Sequence, residues 1–166
     1  MRHTFLRAQQ SLRNILLGGG VLVGVLWSLA SSAATHTVDD SGSQVLSPQV
    51  AMRWDQPVPH PSQINNLVRG QFTVLLRLNT SQWQGQSGRL YLVVPTPPTG
   101  PVRVAWRSKG MLVDGEMLSG TRTVVFSGSL PGPVVQDTLQ MVVVADGSTL
   151  VNTQRLDFTF EWDDQQ

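Results

Sequence analysis

The chain has 166 residues, enough for one domain of ordinary size. Charged residues make up only 14% and cysteine is absent, which excludes charge-driven disorder, disulfides, thiolate metal sites and a lipoprotein anchor. Of twelve basic residues three (Arg2, Arg7, Arg13) lie in the N-terminal leader, so nine face eleven acidic ones, a net of about −2 that argues against a nucleic-acid partner or an anionic membrane surface.

Residues 1–14 are polar and basic. Ile15 to Trp27 is an apolar run of 13 residues, followed by SLASSAAT. Ser31 with Ala33, or Ser32 with Ala34, places small residues where signal peptidase needs them. This pattern predicts a helical, cleavable signal peptide over residues 1–34, cut after Ala33 or Ala34. The run is short of the roughly 20 residues that span a bilayer, so no permanent membrane anchor is expected after cleavage. With no twin-arginine pair, export of an unfolded chain is expected.

Residues 35–45 are polar and unpatterned, and read as a flexible N-terminal tail. From residue 46 onward the period is two: Leu46, Pro48, Val50, Met52 and Trp54 alternate with polar or small residues, as a strand does. Pro48 suits a first or edge strand, because it has no N–H to donate. Residues 57–66 form a proline-rich loop. Phe72, Val74, Leu76 and Leu78 mark the next strand, and residues 79–88 the next loop. Leu90, Leu92 and Val94 follow, until the prolines at 95, 97, 98 and 101 end the ladder. Val102, Val104 and Trp106 come next. Asp114-Gly115 within residues 111–118 predicts a tight hairpin. Residues 121–127 and 139–145 are β-rich, Asp146-Gly147 is a second hairpin signal, and residues 155–162 close the pattern. After the leader no segment has helical periodicity. The expected fold is all-β, an immunoglobulin-like β-sandwich of about eight strands over residues 46–166. A small barrel is the alternative.

The last segment is the most regular. Leu156, Phe158, Phe160 and Trp162 face one way, and Arg155, Asp157, Thr159, Glu161 and Asp163 the other. A leader, a chain of this size, dense short strands and this C-terminal alternation together resemble the chaperone–usher fimbrial subunits of Gram-negative bacteria. The sequence departs from them at Gln165, where a tyrosine is common, and in lacking cysteine. The resemblance implies that Leu156, Phe158, Phe160 and Trp162 form an edge strand read by a chaperone or a neighbouring subunit. It implies a periplasmic chaperone, an usher and other fimbrial subunits as partners. It also implies passage through the periplasm to the cell surface or fimbrium. Leu46, Val50, Met52 and Trp54 then mark either a donor strand for a neighbouring subunit or the domain's own first strand.

The inventory for chemistry is thin. His36 and His60 lack metal-ligand spacing. Asp39-Asp40 and Asp163-Asp164 are acidic pairs without a calcium-loop pattern. Asp114 and Glu116 straddle a tight turn with no cleft for a glycosidase pair. Ser127 has neither a nucleophile-elbow context nor a placed histidine. No catalytic residue, metal or cofactor is predicted, and the chain is not expected to be an enzyme. Trp83, in the polar loop SQWQGQSG, is the residue best suited to stack on a ligand such as a sugar ring. Two roles follow. One is a structural or minor fimbrial subunit assembled by strand exchange. The other is a self-sufficient secreted or periplasmic binding module or adhesin that recognises glycan or protein.

Overall fold

The computed structural model describes residues 34–47, 49–56, 66–150 and 155–164. Residues 1–33 of the predicted signal peptide, Pro48, His60, most of the proline-rich loop and Gln165 lie outside the described residues. Among the described residues, ten strands form two antiparallel sheets. They are β1 (Thr35–Val38), β2 (Gln44–Val45), β3 (Arg53–Trp54), β4 (Leu67–Asn79) and β5 (Ser87–Val93), followed by β6 (Arg103–Ser108), β7 (Gly115–Leu118), β8 (Arg122–Ser129), β9 (Val134–Asp146) and β10 (Thr159–Asp164). One sheet has the order β1-β10-β5-β8. The other runs β2-β4-β9-β6-β7, with β3 also on β4. The architecture is that of a β-sandwich, as the period-two pattern predicts.

The centre of the larger sheet is the long pair β4–β9, in register from Leu67 opposite Asp146 to Asn79 opposite Val134. The alternating residues of both strands bury one face. Val74, Leu76 and Leu78 of β4 and Leu139, Met141 and Val143 of β9 meet Leu90, Leu92, Phe160 and Trp162 from the opposing sheet. Burying each such aliphatic side chain contributes roughly 1.5–3 kcal/mol, so this facing set supplies most of the stability of a chain without disulfides.

Three expectations change. Residues 35–45 are not a free tail: Thr35–Val38 pairs with β10, and Gln44 and Val45 pair with β4. The polar pattern hid this because only Val38 of β1 is buried. The alternating run 46–54 does not form one continuous strand. Only Arg53 and Trp54 resume the ladder, opposite Arg69 and Val68. Leu46 and Trp54 are 53% and 46% exposed, whereas Val50 and Met52 are half-buried. Gly70 makes room for the latter two, since a Cβ there would lie 2.6 Å from Val50 Cγ1.

Asp114-Gly115, finally, is not a two-residue turn. β6 and β7 do form a hairpin, but its loop is residues 109–114 and Gly115 is already in the strand opposite Trp106. Gly115 is needed for a different reason. A Cβ there would sit 2.6 Å from Trp106 Cζ2, so the missing side chain is the space the indole occupies. The long loop is held by a buried carboxylate that the sequence did not single out. Asp137 Oδ2 accepts from Ser108 Oγ at 2.8 Å and Leu112 N at 2.9 Å, and Oδ1 accepts from Thr138 N and Lys109 N.

Candidate functional site

The seam between the sheets, on the side where the N-terminal and C-terminal segments meet, opens into a large cavity among the described residues. Its lower half is closed by β1. Thr35–Val38 runs antiparallel to β10, from Thr35 opposite Asp163 to Val38 opposite Phe160. The C-terminal strand is therefore an interior strand, flanked by β1 and β5, and not the bare edge expected from the resemblance.

A polar clasp on the outer face holds β1 in place. Thr35 Oγ1 donates to Asp163 Oδ1 at 2.7 Å, and Arg122 of β8 donates to the same oxygen at 2.9 Å while reaching Glu161 at 3.3 Å. The Arg122 guanidinium lies 3.8 Å from the centre of the Tyr91 ring, a cation–π contact. Burial alone would raise the Asp163 pKa. The hydrogen bonds from Thr35 and Arg122 and the Arg122 charge outweigh it and hold the carboxyl below its ordinary value.

Beneath β1 lies Trp83. The sequence suggests it as a ligand contact, but it is only 7% exposed. Its ring centre is 5.6 Å from that of His36 and 6.4 Å from that of Trp162. The loop folds it inward as a 3-10 turn, Ser81–Trp83, in which Trp83 N donates to Thr80 O. Thr80 is itself tied to the 132–133 loop through its backbone N–H and its hydroxyl. The neighbouring glutamines signalled an exposed loop, but the apolar area of an indole outweighs the polarity of its neighbours. Trp83 is a core residue, not a ligand platform.

The upper half of the seam is open. β1 ends at Val38, because the chain turns at Asp39 and crosses to the other sheet. Asp39 Oδ1 accepts from Ser41 N, and Ser43 N donates to Asp40 O. On the other flank β5 ends at Val93, ahead of Pro95, Pro97 and Pro98. Residues 155–158 are thus left outside either ladder. Leu156 and Phe158 turn inward there, half-buried, with Phe158 edge-on to Phe160 at 6.3 Å. Across from them stand Val50 and Met52 on the interrupted edge of the larger sheet.

Between these flanks is a cavity of about 910 Å³, lined chiefly by Val45, Val50, Met52, Phe72, Leu156 and Phe158. The structure therefore brings together two of the sequence-predicted groups. Phe160 and Trp162 form the floor under β1. Leu156 and Phe158 line the open groove with Val50 and Met52. Leu46 and Trp54, from the same predicted set, stay outside it. The groove is lined, among the described residues, mainly by apolar side chains, with Ser47, Gln49 and Arg155 as its polar members. Among the described residues no group of His, Asp or Glu is arranged to hold a metal ion. Comparison with protein-family models, curated proteins and solved structures finds no match.

Proposed function

We propose that this chain is an exported structural or minor subunit of a bacterial surface fimbria, assembled by strand exchange at the open seam. The observation that carries this reading is the groove of about 910 Å³, which lies between residues 155–158, outside either ladder, and the interrupted edge bearing Val50 and Met52, and is lined largely by half-buried apolar side chains. An extended segment from a neighbouring subunit would pair with those edges and place alternating apolar side chains in the groove. The pairing scheme supports the reading. β4 pairs with β9 in one sheet and β5 with β10 in the other, the two central pairings of an immunoglobulin-like sandwich. The far side of β10 is filled by β1, from the opposite end of the chain and through only four residue pairs. A segment so short and so near a leader cleavage site is suited to exchange between copies. A periplasmic chaperone would cover the seam in transit, and an usher would hand the subunit on.

One observation favours the second reading, a self-sufficient secreted or periplasmic binding module. β1, β2 and β3 come from the chain itself and already pair with β10 and β4 on either side of the groove, so the chain supplies much of its own edge pairing. Two peptides, residues 35–47 and residues 45–55, separate the readings. Added in excess to the purified chain, one of them raises the melting temperature of a subunit with an open seam, and the concentrated chain forms heat-labile oligomers. A chain that stays monomeric and melts at the same temperature with either peptide is the self-sufficient module.

A further inference from the structure

Cross-strand register gathers the arginines of the larger sheet on its outer face. Arg53 stands opposite Arg69, Arg69 opposite Val144, and Val144 opposite Arg103. Three arginines therefore share one row across four strands. Arg107 lies further along β6, opposite Gln140, and Arg77 further along β4, opposite Gln136. Five of the eight arginines after residue 34 occupy this face. At about 3.4 Å per residue, the eight steps from Arg69 to Arg77 cover roughly 27 Å.

Among the described residues these charges have few carboxylate partners. Among the described residues, Arg53, Arg77, Arg103 and Arg107 form no ion pair, and Arg69 has one exposed contact of 3.4 Å with Asp55. The other sheet is different. Its carboxylates Glu161 and Asp163 are answered by Arg122, and Asp157 is answered by Arg155. The small net charge conceals two unlike faces.

The basic face is also shaped. Gln71, Val142, Ala105 and Glu116 stand opposite one another across β4, β9, β6 and β7. The two small residues in the middle of that row leave a trough of about 710 Å³, lined by Gln71, Thr73, Arg107, Glu116 and Gln140. We propose that this trough and the arginines around it bind an acidic polysaccharide. Arginine forks would take its sulfate or carboxylate groups, and Gln71, Gln140 and Thr73 its hydroxyls.

Two other ligand classes fit less well. Among the described residues, the exposed large apolar ones on this face are Leu46, Leu75 and Leu118, all aliphatic, so it offers no aromatic platform for nucleic-acid bases or for neutral sugar rings. Glu116 and Asp114 at the rim accept hydrogen bonds from the free hydroxyls that a polysaccharide carries along its length and that duplex DNA lacks. The site lies on the outer face of the sheet, away from the seam, and does not depend on strand exchange.

The test uses the full chain and four immobilised polymers: heparin (sulfated), alginate (carboxylated), neutral dextran and duplex DNA. Binding to heparin or alginate, weakening as salt rises, is expected, and the better of the two identifies the anionic group. Arg103→Glu with Arg107→Glu should lower affinity at least tenfold. Arg53→Gln, at an exposed edge, should lower it less. Arg89→Glu on the other sheet should leave it within twofold. The proposal is overturned if dextran or DNA binds as tightly as the acidic polysaccharides. It is equally overturned if neither acidic polysaccharide binds, or if Arg89→Glu matches the loss of the double variant.

Discussion

Trp83→Ala is the sharpest probe of how the seam is built. The indole is 7% exposed and packed between His36 of β1 and Trp162 of β10. A buried tryptophan removes about 200 Å² from water, which at roughly 25 cal/mol per Å² is worth about 5 kcal/mol. Partial collapse of the Thr80–Gln86 loop into the space recovers some of this, so the expected cost is about 4 kcal/mol, within the range for such truncations in cores. That is a large fraction of the stability of a domain this size. Urea unfolding of the purified chain, followed by far-ultraviolet circular dichroism, measures it. Trp83→Phe should recover about half. Because His36 rests on the ring, His36→Ala should cost less in the Trp83→Ala background than alone, a coupling typical of residues in contact. A cost below about 1 kcal/mol for Trp83→Ala would mean that the indole sits on the surface, and the account of β1 as a lid over it would fail.

Asp137→Ala leaves the loop after β6 without its acceptor and should cost about 3 kcal/mol by the same denaturation assay, with Asp137→Asn costing less. Gly115→Val should cost about 2 kcal/mol through overpacking against Trp106, and the shift of β7 should appear in amide exchange of its hairpin. Asp163 has a lowered pKa in the folded chain, so its contribution to stability is present above the ordinary carboxylate value of about 3.9 and is lost as pH falls through the folded value. A pH series should accordingly show the wild type losing more stability than Asp163→Asn in the acid range below about pH 4. Equal acid sensitivity in the two would show that the clasp contributes nothing. N-terminal sequencing of the exported protein should begin at Ala34 or Thr35. An intact Met1 terminus would refute cleavage.

The elements most legible in the sequence are those with two faces. β10 alternates so regularly that its buried side follows from the pattern alone, and β4 does the same apart from Leu75. Phe160 and Trp162 are where the alternation puts them. The less legible ones depend on what arrives from elsewhere in the chain. Thr35–Val38 carries almost no apolar signal, yet it forms a strand because β10 offers a ladder and Asp163 an acceptor. Trp83 looked exposed because its neighbours are glutamines, and it is buried because Thr80 anchors its turn. Gly115 looked like a turn residue, and it is a strand residue beneath an indole. Leu46 and Trp54 share the phase of Val50 and Met52 but not their burial, since the ladder breaks between β2 and β3.

What the sequence determined by itself is the class: all-β, without disulfides, with a leader-like N-terminus and a set of alternating strands. Period-two hydrophobicity is local information, and a strand's inner face follows from it. Tertiary structure alone decided which strand lies beside which. It put β1 against β10, left residues 155–158 and the broken edge at 46–52 facing a common groove, and aligned Arg53, Arg69 and Arg103 in one row. Each of these is a meeting of residues far apart in the chain. Register, not composition, makes such a meeting, so a net charge near zero and a polar leader-proximal segment gave no sign of it.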